Sequence, residues 1–216
     1  MMEALRKLIP GEEFDYQMLL DALKDYARPR DKITGLLRRN DIVRIKKGLY
    51  IFGEAYARRP FSREIMANMI YGPSYISLDY ALSYHGFIPE RVEAVTSVTT
   101  KRSRRFATPL GLFIYHGIPP EAYPIGVDRV EIEGGRAFLI ARPEKALADK
   151  IQADRGTGIR TQAEIQEYLI KHLRIDESAL TGLDVDLIER IALGYGSRKL
   201  TLLHSVIRRR KRGANA

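Results

Sequence analysis

The 216-residue chain contains no cysteine, which excludes a disulfide scaffold, a zinc ribbon and a cysteine nucleophile and suits a reducing compartment. Its four histidines are scattered and form no recognisable zinc-ligand spacing, and no other metal or cofactor motif accompanies them. Long apolar runs are missing too: none approaches the ~18–20 residues that a bilayer span needs, so no membrane partner is expected. The opening Met1-Met2-Glu3-Ala4-Leu5-Arg6-Lys7 leads into no apolar signal core, and the chain is expected in the cytoplasm. Acidic residues are the minority, 27 against 36 basic ones, for a formal net charge of +9. That balance favours a polyanionic partner. Hydrophobic content of 45% and charged content of 29% exclude a collagen-like or wholly disordered chain.

What is present reads as an α+β protein in two parts. Leu5, Leu8 and Ile9 recur at helical spacing until Pro10-Gly11 stops the pattern. Asp15 can cap a second helix with Leu19, Leu20 and Leu23 as its buried stripe. Pro29 suits the first turn of a third, running to about Asn40 with Ile33, Leu36 and Leu37 inward. Ile42–Ile45 and Leu49–Phe52 then flank the turn Lys46-Lys47-Gly48, which reads as a hairpin. Three helices followed by a basic hairpin is the order of a winged helix-turn-helix, predicted over 1–57. Residues 53–61, with Arg58-Arg59-Pro60, read as a hinge or linker. The remainder, 58–216, is predicted as a larger α+β domain with a small, mainly antiparallel sheet flanked by helices. Its helices are expected from Ser62 to Ile70, after Ser77, from Pro143 to Gln152, and near 162–173, 184–193 and 198–210. Its strands are expected at Ala94–Thr100, Leu112–His116, Val127–Glu133 and Arg136–Ala141, with Gly134-Gly135 as a hairpin turn.

Three basic clusters carry the candidate binding residues. The densest holds Arg28, Arg30, Lys32, Arg38, Arg39, Arg44, Lys46 and Lys47 against only Asp31 and Asp41. On the third helix Arg30, Lys32, Thr34, Arg38 and Arg39 project away from the apolar face. A helix of that size fits the major groove, where Arg reads guanine bidentately and neighbouring cations pin phosphates. Lys46 and Lys47 at the hairpin tip are placed to reach an adjacent phosphate or the minor groove. Gly35 interrupts the helix at a cost of ~1 kcal/mol against Ala. The second cluster, Lys101, Arg102, Arg104 and Arg105, reads as a loop: a solvated surface, a further phosphate contact or a patch for an acidic partner. The third, Arg208, Arg209, Arg210, Lys211 and Arg212, reads as a basic tail with electrostatic contacts.

Catalytic patterns fail on spacing. No lysine has Asp or Glu two residues before it, as a metal-dependent nuclease of the Asp…(Asp/Glu)-x-Lys type requires; Glu144-Lys145 and Asp149-Lys150 are adjacent pairs instead. Asp184 and Asp186 have the Asp-x-Asp spacing of a nucleotidyltransferase, but Gly196-Ser197 follows them, the wrong order. No Walker loop, Gly-x-Ser-x-Gly elbow or His-Glu-x-x-His occurs. Glu131 and Glu133 fit an exposed strand edge. His85, Tyr80 and Tyr84 read as packing residues. No catalytic residue is assigned.

Three segments carry a resemblance: Ser74-Tyr-Ile-Ser-Leu-Asp-Tyr-Ala-Leu-Ser-Tyr-His-Gly-Phe-Ile-Pro-Glu90, Val95-Thr-Ser-Val-Thr-Thr100 and Arg142-Pro-Glu-Lys-Ala-Leu-Ala-Asp149. In that order they resemble the AbiEi antitoxins, transcriptional regulators of type IV toxin–antitoxin and phage-defence systems. The likeness covers most of the chain and is strongest over 71–150. It implies a repressor of its own operon that binds operator DNA through the winged helix. It also implies a C-terminal domain needed for antitoxin action against a nucleotidyltransferase toxin, exerted without a stable complex. tRNA or another RNA shared with the toxin is a further implied partner. The alternatives are a phage-defence nuclease, a regulator without a toxin, and an interaction module for an acidic partner.

Overall fold

The computed structural model describes residues 1–154, 156 and 158–214; residues 215 and 216 of the expected tail lie outside them. The N-terminal unit runs α1 (Met2–Leu8), β1 (Glu13–Asp15), α2 (Tyr16–Ala22), α3 (Pro29–Arg38), β2 (Ile42–Lys46) and β3 (Leu49–Phe52). The Asp15 carboxylate accepts from Met18 N at 2.8 Å and starts α2, as its capping chemistry predicts. Pro29 opens α3. β2 and β3 form the expected hairpin, turning through Gly48 at φ 86°, a conformation that favours glycine. β1 is an addition: it pairs antiparallel with β3 and makes a three-stranded sheet in the order β1-β3-β2. Under that sheet Leu5, Ile9, Phe14, Leu19, Leu23, Leu36 and Ile42 are fully buried, with the Phe14 and Phe52 rings 4.7 Å apart.

The chain leaves α3 through Asn40 at φ 55°. Its backbone there lies against Gly53, where a Cβ would sit 1.8 Å from the Asn40 carbonyl oxygen. Gly53 N donates to Asp41 O at 2.9 Å. The position after β3 is therefore glycine because two main chains touch.

The larger unit is α+β, as expected, but its sheet is bigger and more mixed than predicted. Its elements are α4 (Arg63–Ile70), β4 (Ser74–Ile76), α5 (Leu78–Tyr84), β5 (Val95–Thr99), β6 (Arg104–Thr108), β7 (Gly111–Gly117), β8 (Val127–Ile132), β9 (Arg136–Ala141), α6 (Pro143–Ala153), α7 (Gln162–Glu167), a π turn over Tyr168–His172, α8 (Glu177–Thr181), α9 (Val185–Tyr195) and α10 (Arg198–Ala214). Six strands lie in the order β6-β7-β5-β4-β9-β8. The β4–β5, β6–β7 and β8–β9 ladders are antiparallel, whereas β4–β9 and β5–β7 are parallel. The parallel β4–β9 pair joins Ile76 to Ile140, far apart in sequence, so no local period announces it. β4 and β6 were not expected as strands, and α8 was not expected as a helix.

Helices cover both faces of this sheet. On one face the Tyr115 hydroxyl donates to Ala67 O of α4 at 2.6 Å. On the other, Tyr75 of β4 turns toward α6. There Asp149, 2% exposed, accepts from Ser77 Oγ at 2.6 Å, from the Tyr75 hydroxyl at 3.3 Å and from the Tyr195 hydroxyl of α9. The Lys145 ammonium lies 2.9 Å from the same carboxylate, with neither side chain exposed, and 4.4 Å from the Tyr195 ring centroid. Burial pushes the Lys145 amine below the usual lysine range, against the pull of Asp149. Burial and the Asp149 charge hold the Tyr75 and Tyr195 hydroxyls protonated, so both remain donors. Ser77 precedes α5 as predicted but makes no side-chain capping bond; its hydroxyl is given to Asp149 instead.

Residues 53–61 were expected as a hinge, yet the segment is fastened on both sides. The buried Glu13 carboxylate of β1 accepts from Ser62 N and from Arg136 Nη1 of β9 at 3.0 Å. Arg136 also donates to Pro60 O at 3.2 Å. Ile45, Leu49 and Ile51 of the hairpin belong to the same buried cluster as the larger unit.

Asp149→Ala is expected to destabilise the chain by about 3–5 kcal/mol, because it leaves the Lys145 charge buried without a partner. Combining it with Lys145→Met is expected to lose less than Asp149→Ala alone. Urea midpoints of the two variants at constant m check this.

Candidate nucleic-acid interface

α3 is amphipathic in the predicted sense. Ile33 and Leu36 are buried and Leu37 is half-buried, while Arg30, Lys32, Thr34, Arg38 and Arg39 are exposed. The exposed cations are not equivalent. Arg39 donates from Nε to Asp41 at 2.8 Å, with Nη2 at the same distance from that carboxylate oxygen, so its fork is engaged within the protein. Lys32 lies over the Tyr26 ring at 5.2 Å, and Arg28 stands 4.0 Å from Asp31, both of them exposed. Thr34 donates to Arg30 O at 3.1 Å. Arg30 and Arg38 make no ion pair among the described residues and extend from the helix with their donors unused. Gly35 does not mark a tight backbone approach, since a Cβ there would meet only the tip of Arg39 at 3.4 Å.

The hairpin tip divides its two lysines. Lys47 is exposed. Lys46 turns toward the larger unit, donates to Ile70 O at 2.7 Å and lies 4.7 Å from the Phe106 ring centroid. Burial, then the charges of Arg104 and Lys101, lower the pKa of its amine. Arg44, farther down β2, is exposed.

The second cluster is a loop only in its first half. Lys101 and Arg102 precede β6, and Arg104 and Arg105 lie on it, at the edge of the six-stranded sheet. Lys101 donates to Gly72 O and lies over the Tyr71 ring at 5.4 Å, with the Arg104 guanidinium 5.6 Å from the same ring. Beneath them Tyr115 packs edge to face against both Tyr71 and Phe106, which are tilted on each other. Lys46 and the pair Lys101 and Arg104, more than fifty positions apart, thus meet on one aromatic cluster. Arg102 and Arg105 are exposed and make no ion pair among the described residues. Sequence reasoning missed this meeting; the tyrosine and phenylalanine content was its only trace.

The third cluster was read as a tail, but α10 carries the helix through it to Ala214. Arg210 is half-buried against Glu177 at 2.6 Å, and Lys211 donates to Leu183 O at 3.2 Å. Arg208, Arg209 and Arg212 are exposed.

Three of the acids weighed for catalysis, Glu144, Asp149 and Asp184, have structural partners: Glu144 accepts from Asp184 N at 2.9 Å, and Asp149 is the buried carboxylate described above. Asp184 accepts from Asp186 N and Leu187 N and caps α9. Lys150 bridges Asp79 at 3.0 Å and Asp154 at 3.3 Å. Burial opposes its charge, but the two carboxylates hold its pKa above the usual lysine value. His85 pairs its Nε2 with Ala141 O at 2.8 Å. Among the described residues no group of three metal-ligating side chains converges.

No known protein-family profile matches the chain, and no curated protein matches it.

Lys46→Met is expected to cost about 1–3 kcal/mol of stability by leaving the Ile70 carbonyl without its donor. Lys47→Met, at the neighbouring exposed position, is expected to stay within about 0.5 kcal/mol of the parent. Chemical denaturation of the two variants separates the inward lysine from the outward one.

Proposed function

We propose that the chain is a double-stranded DNA-binding transcriptional repressor and antitoxin, with no catalytic step. On this reading the N-terminal unit is a winged helix-turn-helix, with α3 as its recognition helix and the β2–β3 hairpin as its wing. The observation that carries the reading is α3 itself: its apolar face is locked into a core while Arg30 and Arg38 are exposed and make no ion pair among the described residues. Planar, undesolvated guanidiniums on a rigid helix suit guanine O6/N7 in the major groove. Lys32, Arg28 and Thr34 supply backbone-positioning contacts beside them, and Lys47 and Arg44 add cations along the hairpin.

The larger unit takes the antitoxin role that the resemblance to the AbiEi family implies. Its functional partner is a nucleotidyltransferase toxin in the same cytoplasm, opposed without a stable complex. Arg102 and Arg105 on the edge of the large sheet extend the basic surface and supply phosphate contacts to operator DNA or to an RNA shared with the toxin. Arg208 and Arg209 contribute charge from α10.

Binding of the intact chain to DNA from upstream of its own gene, measured by anisotropy across a salt series, tests this. Arg30→Ala with Arg38→Ala is expected to remove sequence preference at a cost of about 1–3 kcal/mol for each guanine read. Equal affinity of that variant and the parent for upstream DNA would overturn the recognition role of α3. Arg102→Ala with Arg105→Ala is expected to keep the preference and reduce the slope of log K against log salt by about 2. If operator binding is unchanged and rescue of toxin-expressing cells is lost, those two arginines serve the RNA partner.

A further inference from the structure

A cavity of about 530 Å³ lies between α6 and the large sheet, walled by Val98 of β5, His116 and Gly117 of β7, Gln152 and Ala153 of α6, and Tyr195 of α9. That volume is in the range of small-molecule sites. β5 and β7 run parallel, and the cavity sits at their carboxyl ends, where open α/β sheets place ligands.

Its polar side chains divide into spent and unspent. Asp149 and Tyr195 are bonded to each other, and Lys145 meets the Asp149 charge. His116, Gln152 and Ser103 keep capacity. His116 stands on the α6 side of β7, because its neighbour Tyr115 faces α4. Its ring is half-buried. The two ring nitrogens have no hydrogen-bond partner among the described residues, and neither is sealed from solvent. Burial, then the Lys150 charge, lower its pKa against the pull of Asp79, Asp154 and Asp149. Near neutral pH the ring is therefore uncharged, one nitrogen a donor and the other an acceptor. Gln152 gives Nε2 to Ser197 Oγ, and its Oε1, also open to solvent, has no partner among the described residues. The exposed Ser103 hydroxyl accepts from Gly117 N at 2.9 Å and keeps its own proton to donate. An ion entering here would lose its hydration without meeting a counter-charge, whereas a neutral ring with donors and acceptors on its edge would not.

The rim has the opposite character. Ser103 lies between Arg102 and Arg104, and its loop is pressed to the cavity wall: a Cβ on Gly117 would sit 2.5 Å from Lys101 O. Arg102 and Arg105 are exposed on this edge. A neutral polar cavity with cations at its border matches a nucleotide unit, base inside and phosphate outside.

We propose that this cavity holds one unpaired nucleobase, carried on a single-stranded RNA whose phosphates meet Arg102 and Arg105. This rests on the reading of that edge as a nucleic-acid surface and names the part of the strand that is recognised.

A labelled single-stranded RNA of mixed sequence and the same ribose-phosphate chain without bases separate the two contacts, with anisotropy of the intact protein at low salt as the readout. The complete strand is expected to bind about tenfold or more tighter than the baseless one. Ala153→Phe fills the cavity from α6 and is expected to bring the complete strand to the baseless level. His116→Phe keeps a ring, removes both nitrogens and is expected to cut the ratio severalfold. In both variants, baseless binding and the urea midpoint are expected to stay near those of the parent. Arg102→Ala with Arg105→Ala is expected to weaken both strands alike and keep their ratio. Equal affinity of the parent for the two strands, or a ratio that survives in both Ala153→Phe and His116→Phe, would overturn the proposal. If neither strand binds, the nucleic-acid reading of the edge fails by itself, and titration with each free ribonucleoside decides the cavity. Saturation that Ala153→Phe abolishes keeps it as a nucleobase site, and absence of saturation removes it.

Discussion

Asp149 is a carboxylate removed from water, and most of the larger unit is arranged around what that removal demands. A buried anion is tolerable only if its charge and its lone pairs are both met. Here the charge is met by Lys145, one helical turn earlier on α6, and the lone pairs by Ser77, Tyr75 and Tyr195. Those donors come from the end of β4, the entry to α5 and the end of α9. Each element is thereby fixed in position by a bond whose loss would strand a charge, which apolar packing alone does not achieve. Lys145 in turn lies so close to Gly126 that a Cβ there would sit 3.0 Å from its own.

A second buried polar group does the same work between the two units. Glu12 and Glu13, at the start of β1, face Arg6, Arg59 and Arg136 from three different segments. Arg59 also lies across the β8–β9 turn, where Gly134 at φ 81° leaves room for its guanidinium and no room for a Cβ. The hairpin, the connecting segment and the edge of the large sheet are joined through these charges and through Ile45, Leu49 and Ile51.

The three helices and the hairpin of the N-terminal unit were legible because each of their signals is local. Asp15, Pro29, the spacing of Ile33 and Leu36, and Gly48 all act within a few residues of where they stand. β1, β4, β6 and α8 were not legible, because each is three to five residues long and three of them exist only through a partner strand. Arg104 and Arg105 looked like a solvated loop, because a run of cations carries no apolar alternation of its own, even though the strand they pair with, β7, was expected over Leu112–His116. The fate of Lys46 was hidden for another reason: its partners Ile70 and Phe106 arrive from other elements. Lys145 and Asp149 had the helical spacing of an ion pair, but burial does not show in spacing, and a lysine in a helix ordinarily reads as solvated.

Gly53 has a consequence for how the exposed face of α3 is free to vary. The angle at which the helix meets the hairpin is set where two main chains touch, at Asn40 and Gly53, rather than by any side chain on the helix surface. Pose and display are therefore separable. Substitutions at positions 30, 32, 34 and 38 change the chemistry the helix presents and leave its seat unaltered, so descendants of this sequence can drift through many surface alphabets on an unchanged frame, while position 53 admits almost no drift at all.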